Sequence, residues 1–131
     1  MANPNIFNTT SIVAGNASWT LGNSNTLLMT VDADKIVRIN SIRVAGRVNY
    51  ATDLFLTITG MGSGAAGVTT SGADATGTIC WNYSTGGSGG SSQVELITIP
   101  IYMMEGDSLY GYAGSNNYMD VIVSYEVIDD A

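Results

Sequence analysis

Period-two alternation of apolar and polar side chains dominates this chain. Over residues 53–59, Leu54, Leu56 and Ile58 alternate with Phe55, Thr57 and Thr59, so a strand sets the first three on one face, predicted to be core. Near the end, Val121, Val123, Tyr125 and Val127 alternate with Asp120, Ile122, Ser124, Glu126 and Ile128, which predicts a strand whose odd-numbered face points inward. Spacings of three and four never persist beyond a turn before glycine, threonine or valine intervenes, so almost no helix is expected. Alternation and β-branched enrichment mark short strands near 9–14, 17–21, 26–31, 35–45, 53–59, 76–83, 93–101, 108–113 and 118–128. The reading is an all-β antiparallel sandwich or jelly roll of about eight to nine short strands with negligible helix.

Two glycine-rich stretches, 60–77 and 85–92, interrupt the strands; they hold no proline and, apart from Asp74, no charge. They are read as contact or flexible segments at the ends of the sandwich, or equally as solubilising connectors. A length of 131 residues, 45% hydrophobic and 11% charged, fits one soluble globular domain over 1–131. Residues 1–8 are set apart as a possible extended arm. Ile6 and Phe7, beside Pro4, are apolar but fall outside the strand pattern, which suits a contact element; a frayed terminus is the plainer alternative.

Eleven acidic residues against four basic ones give a net charge of -7, which repels phosphate and argues against nucleic acid as a partner. The four basic residues, Lys35, Arg38, Arg43 and Arg47, fall within one short segment, while the carboxylates run along the chain to Asp129 and Asp130. That cluster, with Ile6 and Phe7, makes up the candidate interaction residues. The longest apolar runs, such as 27–29 and 121–123, are far below spanning length, so no membrane partner is expected, and the opening residues do not resemble a secretory signal.

The chain has no histidine, which removes the commonest general base, the histidine-bearing nucleophilic triads and the commonest zinc ligand. Cys80 is the one cysteine, so no intrachain disulfide is possible; its apolar neighbours Ile79 and Trp81 predict a small core residue rather than a nucleophile. Glu95, Glu105, Asp107 and Asp120 are the only carboxylates near aromatic residues that could form a glycoside-cleaving pair, but 105–108 reads more simply as a tight turn around Gly106. Asp32 and Asp34, and Asp129 and Asp130, lack the spacing of a twelve-residue calcium loop, and the glycine runs lack the lysine of a phosphate loop. The expectation is no enzyme, no cofactor and no metal. Glycosylation-type triplets at Asn8, Asn16 and Asn82 carry no weight in a chain this rich in Asn, Ser and Thr.

Two segments belong together: 26–31 (TLLMTV) running into 35–45 (KIVRINSIRVA), and 104–109 (MEGDSL) running into 119–126 (MDVIVSYE). This pairing resembles small β-sandwich virion proteins of tailed bacteriophages, over roughly the stretches 26–58 and 95–128. Ala33 departs from that pattern, which often has proline in the turn. The resemblance implies a jelly-roll-like subunit located in the virion, decorating or cementing the capsid through contacts with the major capsid protein or other virion proteins, commonly as a homotrimer. It also implies that the basic segment lies antiparallel beside the closing strand, bringing Arg38 and Arg43 near Asp120 or Glu126. The alternative class is a tail or neck protein, or a receptor-binding carbohydrate-recognition module that uses Trp19, Tyr50, Trp81, Tyr83, Tyr110, Tyr112 and Tyr118 as stacking surfaces.

Overall fold

A computed structural model describes residues 11–46, 52–60, 76–85, 93–95, 97, 100–114 and 119–129. The expected arm, including Ile6 and Phe7, most of both glycine-rich stretches, and Arg47, Tyr50 and Tyr118 lie outside these residues. Nine strands occur among the described residues: β1 (Ile12–Leu21), β2 (Thr26–Thr30), β3 (Lys35–Gly46), β4 (Thr52–Thr59), β5 (Thr76–Thr85), β6 (Gln93–Glu95), β7 (Ile101–Met103), β8 (Ser108–Ala113) and β9 (Met119–Asp129). Among the described residues there is no helix.

The strands form two sheets in which every pairing is antiparallel. Sheet A runs β1-β9-β3-β6, with β7 also on β3, and sheet B runs β2-β8-β4-β5. β6 and β7 follow one another along the same edge of β3, so they share one place in the sheet. The chain passes from sheet A to sheet B and back as it enters β2, β3 and β4, and the last strand pairs with the first. This is the order of a jelly roll.

The inner faces meet in one core. Leu54, Leu56 and Ile58 from β4 and Val121 and Val123 from β9 are buried there, as the alternation predicts, together with Ile39, Ile42, Val44, Leu109 and Met119. Tyr125 and Val127 continue the inward face of β9 but are only half-buried. Two features reset the alternation. β3 carries an extra residue between Ile39 and Ser41 against β9, so its buried positions shift from Val37 and Ile39 to Ile42 and Val44. β2 has an irregularity between Leu27 and Met29, which turns Leu28 inward and leaves Leu27 outside.

The structure corrects two strand boundaries. The described part of the segment 9–14, from Ile12 on, and the segment 17–21 form one unbroken β1; Gly15 between them leaves the Tyr125 ring room to lie across the strand, since a Cβ there would sit 2.7 Å from the ring. The single strand expected over 93–101 divides into β6 and β7: Pro100 has no N–H for the ladder, and the register with β3 shifts between the two pieces.

Candidate interaction surfaces

The basic segment and the closing strand are neighbours. In the β3–β9 register Lys35 faces Asp129 and Arg38 faces Glu126, and both pairs close as ion pairs, at 2.9 Å and 3.5 Å. Each is about one-third exposed, so it contributes at the low end of about 0–1 kcal/mol. Arg38 gains little further, since its buried Nε has no hydrogen-bond partner. Arg43 does not reach Asp120. It faces Ile122 on one side and pairs in register with Glu95 on the other, whereas Asp120 lies opposite Ala45 and accepts a hydrogen bond from the Thr20 hydroxyl at 2.7 Å. The cluster that is continuous in sequence is therefore partly neutralised in space, with Arg43 the exposed member among those described.

The turn candidates close one end of the sandwich. The Asp107 amide donates to the Met104 carbonyl (2.9 Å), and the Met104 amide donates back to Asp107 Oδ2 (2.8 Å). Gly106, at φ 85°, supplies the left-handed backbone that this reversal requires and donates to the Val31 carbonyl, while the Val31 amide donates to the Asp107 carbonyl, both at 3.0 Å. Glu105 Oε2 accepts from the amide of Asp34, itself left-handed at φ 58°. The β7–β8 turn thus clasps the β2–β3 turn. Burial pushes the Asp107 carboxyl up from its ordinary value, opposed by the Met104 hydrogen bond. Glu105 and Asp107 are spent on backbone amides at this end, and Asp120 sits at the far end of β9, so these three carboxylates do not converge.

A cleft of about 170 Å³ opens between the sheets beside this clasp, lined mainly by Met29, Val31, Val37, Tyr125 and Val127, with Asp32 its one carboxylate. No cluster of three or more metal-ligating side chains occurs among the described residues. Cys80 packs against the core from β5, its thiol directed at the Leu54 carbonyl (3.8 Å) and pushed by burial up to about 11.

The two outer faces differ in chemistry. By register the outward positions of sheet A carry Arg38 and Arg43 on β3, with Glu95 of β6 opposite Arg43, and Asp120 and Glu126 on β9, whereas Lys35 and Asp129, in phase with Val37 and Val127, lie at the rim of the inner face. The exposed apolar residues of sheet A, Ile12, Tyr102 and Ile122, are interleaved with these charges. In the strands of sheet B, Asp53 is the only charged residue. There Leu27, 51% exposed, lies opposite Tyr110; Tyr112 follows on β8 and faces Phe55 on β4. The Phe55 and Tyr112 rings stack at 4.4 Å and 6°, close to the spacing of adjacent strands, so they stand upright and face each other. Of the aromatic candidates, Trp19 packs against the core and Tyr110 and Tyr112 point outward. Leu27 and Phe55 were not among the sequence candidates: the run 27–29 shows no alternation, and the outward position of Phe55 becomes meaningful only once Tyr112 is its neighbour.

No protein-family model matches the chain, and no curated protein matches it. A solved structure described as "Bacillus endospore appendages form a novel family of disulfide-linked pili" aligns over 92% of this chain and 90% of its own, at 12% identity and a TM-score of 0.37. That degree of likeness carries no argument about function.

Proposed function

We propose that this protein is a non-enzymatic structural subunit of a virion that decorates or cements the capsid, and that it docks through the outer face of sheet B. The virion reading rests on the sequence resemblance. The choice of face rests on one observation: Leu27, Tyr110, Tyr112 and Phe55 form a contiguous apolar and aromatic patch on a sheet whose strands carry a single charge. The cores of protein interfaces are depleted in charge and enriched in aromatic side chains, as this patch is and the opposite face is not. Carbohydrate recognition finds less support, because a sugar stacks on an open ring face and one face of Tyr112 is covered by Phe55. Labelled protein mixed with purified virions should bind the capsid faces. Label confined to the tail would replace decoration with a tail role, and absence of binding would remove the virion reading.

A further inference from the structure

A β-sandwich has four edge strands, each a row of backbone N–H and C=O groups that can pair with another chain unless something blunts it. Three of the four here are blunted. β2 is five residues long and irregular between Leu27 and Met29. The β6/β7 edge consists of two three-residue pieces with Pro100 between them. β5 breaks register with β4 twice, between Leu54 and Leu56 and again between Leu56 and Thr57. β1 has none of these defences. All ten of its residues pair with β9 in unbroken register, it holds neither proline nor charge, and among the described residues β9 is its only strand partner. Its first two residues, Ile12 and Val13, are 57% and 59% exposed, although by register Val13 belongs to the inward face.

We infer that β1 is a strand-pairing edge whose occupant is β1 of a second copy of this chain, joined antiparallel about a two-fold axis at Asn16. The partner follows from the other edges: with three blunted, the edge that can accept β1 is β1 itself. Like-with-like pairing is isologous and closes as a dimer. A continuous sheet requires opposed residues to share a face, so pairs must be symmetric about one residue. Centring on Asn16 overlaps 12–20 and sets Val13 opposite Trp19 and Ile12 opposite Thr20 of the other copy, covering both exposed apolar residues. Small residues, Gly15 and Ala17, meet next to the axis. The absence of charge along β1 means that no like charges oppose one another across it. The contact leaves the outer face of sheet B open, so it stands or falls independently of particle docking. It also makes two, rather than the three implied by the resemblance, the elementary stoichiometry.

Light scattering and sedimentation of the full chain should give a mass of two copies. Asn16 is exposed and, among the described residues, its side chain accepts a hydrogen bond only from the hydroxyl of the half-buried Ser124, so Asn16→Lys should fold with little change in Tm. The same substitution opposes two lysines at the axis and should weaken the dimer by roughly tenfold or more. Register is read by oxidation. Asn16→Cys should form a disulfide-linked dimer, whereas Ala14→Cys should not, because two Ala14 positions would be about 13 Å apart, beyond disulfide reach. A monomeric or three-copy mass, a dimer indifferent to Asn16→Lys, or equal cross-linking of the two cysteine variants would each overturn the inference.

Discussion

The outer face of sheet A and the outer face of sheet B are built by the same alternation rule, yet they present opposite chemistry. Sheet A places charge on three of its strands and satisfies part of it internally, with Arg38 on Glu126 on the outer face and Lys35 on Asp129 at the rim of the inner one. The outward positions of sheet B include Leu27, Phe55, Tyr110 and Tyr112, and its strands carry one charged residue, Asp53. A face that keeps charges in water needs no partner. An aromatic face without them loses less on desolvation and gains more from contact, which is why docking is assigned to sheet B.

The strongest way to break this contrast is to charge the aromatic face. Leu27→Asp and Tyr110→Asp should each weaken particle attachment by about thirtyfold or more, the equivalent of roughly 2 kcal/mol at an interface centre, and should leave Tm nearly unchanged because both side chains point outward. Binding titrations with purified virions read the first effect and thermal melts the second. Normal attachment of both variants would take docking away from sheet B.

Phe55 sharpens the contrast within one face. It is 8% exposed and stacked on Tyr112, so Phe55→Ala should destabilise the fold by about 2–3 kcal/mol, visible as a lower midpoint in denaturant. A loss below half of that would mean that the stack contributes little and that Phe55 belongs with the contact residues instead.

Asp107 lies on neither face and serves as a control. Its folded-state pKa is raised, so its stability contribution is full below the ordinary carboxylate value and is lost as pH rises through the raised one. Asp107→Asn keeps an oxygen that can accept the Met104 amide but removes the titration. The difference in stability between variant and parent should therefore shift in favour of the variant as pH rises across that window. Denaturant melts across a pH series would show it, and a difference that does not vary with pH would contradict the burial argument.

The smallest effect is expected on sheet A. Arg43→Glu should change attachment less than about threefold, and Arg38→Ala should cost under about 1 kcal/mol of stability. A sharp loss of attachment from Arg43→Glu, deepened by added salt, would instead make the charged face the docking surface.

Much of this architecture was legible in the chain because alternation assigns faces within a strand, as β4 and β9 illustrate. The order implied by the resemblance also anticipated Arg38 beside Glu126, which the register of β3 and β9 bears out. What alternation cannot supply is the phase after an inserted residue. The irregularities near Leu28 and Asn40 are fixed by partner strands, so the outward position of Leu27 and the buried pair Ile42 and Val44 follow only from pairing. The same holds for the separation of Arg43 from Asp120. Edges are a property of the assembled sheets: nothing in the segment 12–21 announces that it has one neighbour, and Pro100 is the one edge-blunting residue visible in the sequence itself.

The most direct measurement is a side-chain oxidation footprint of the protein free and bound to the particle. Leu27 and Tyr110 should become protected on binding while Tyr102 and Ile122, exposed on sheet A, keep their free-state reactivity. Protection of Tyr102 and Ile122 with Leu27 and Tyr110 unchanged would contradict docking through sheet B.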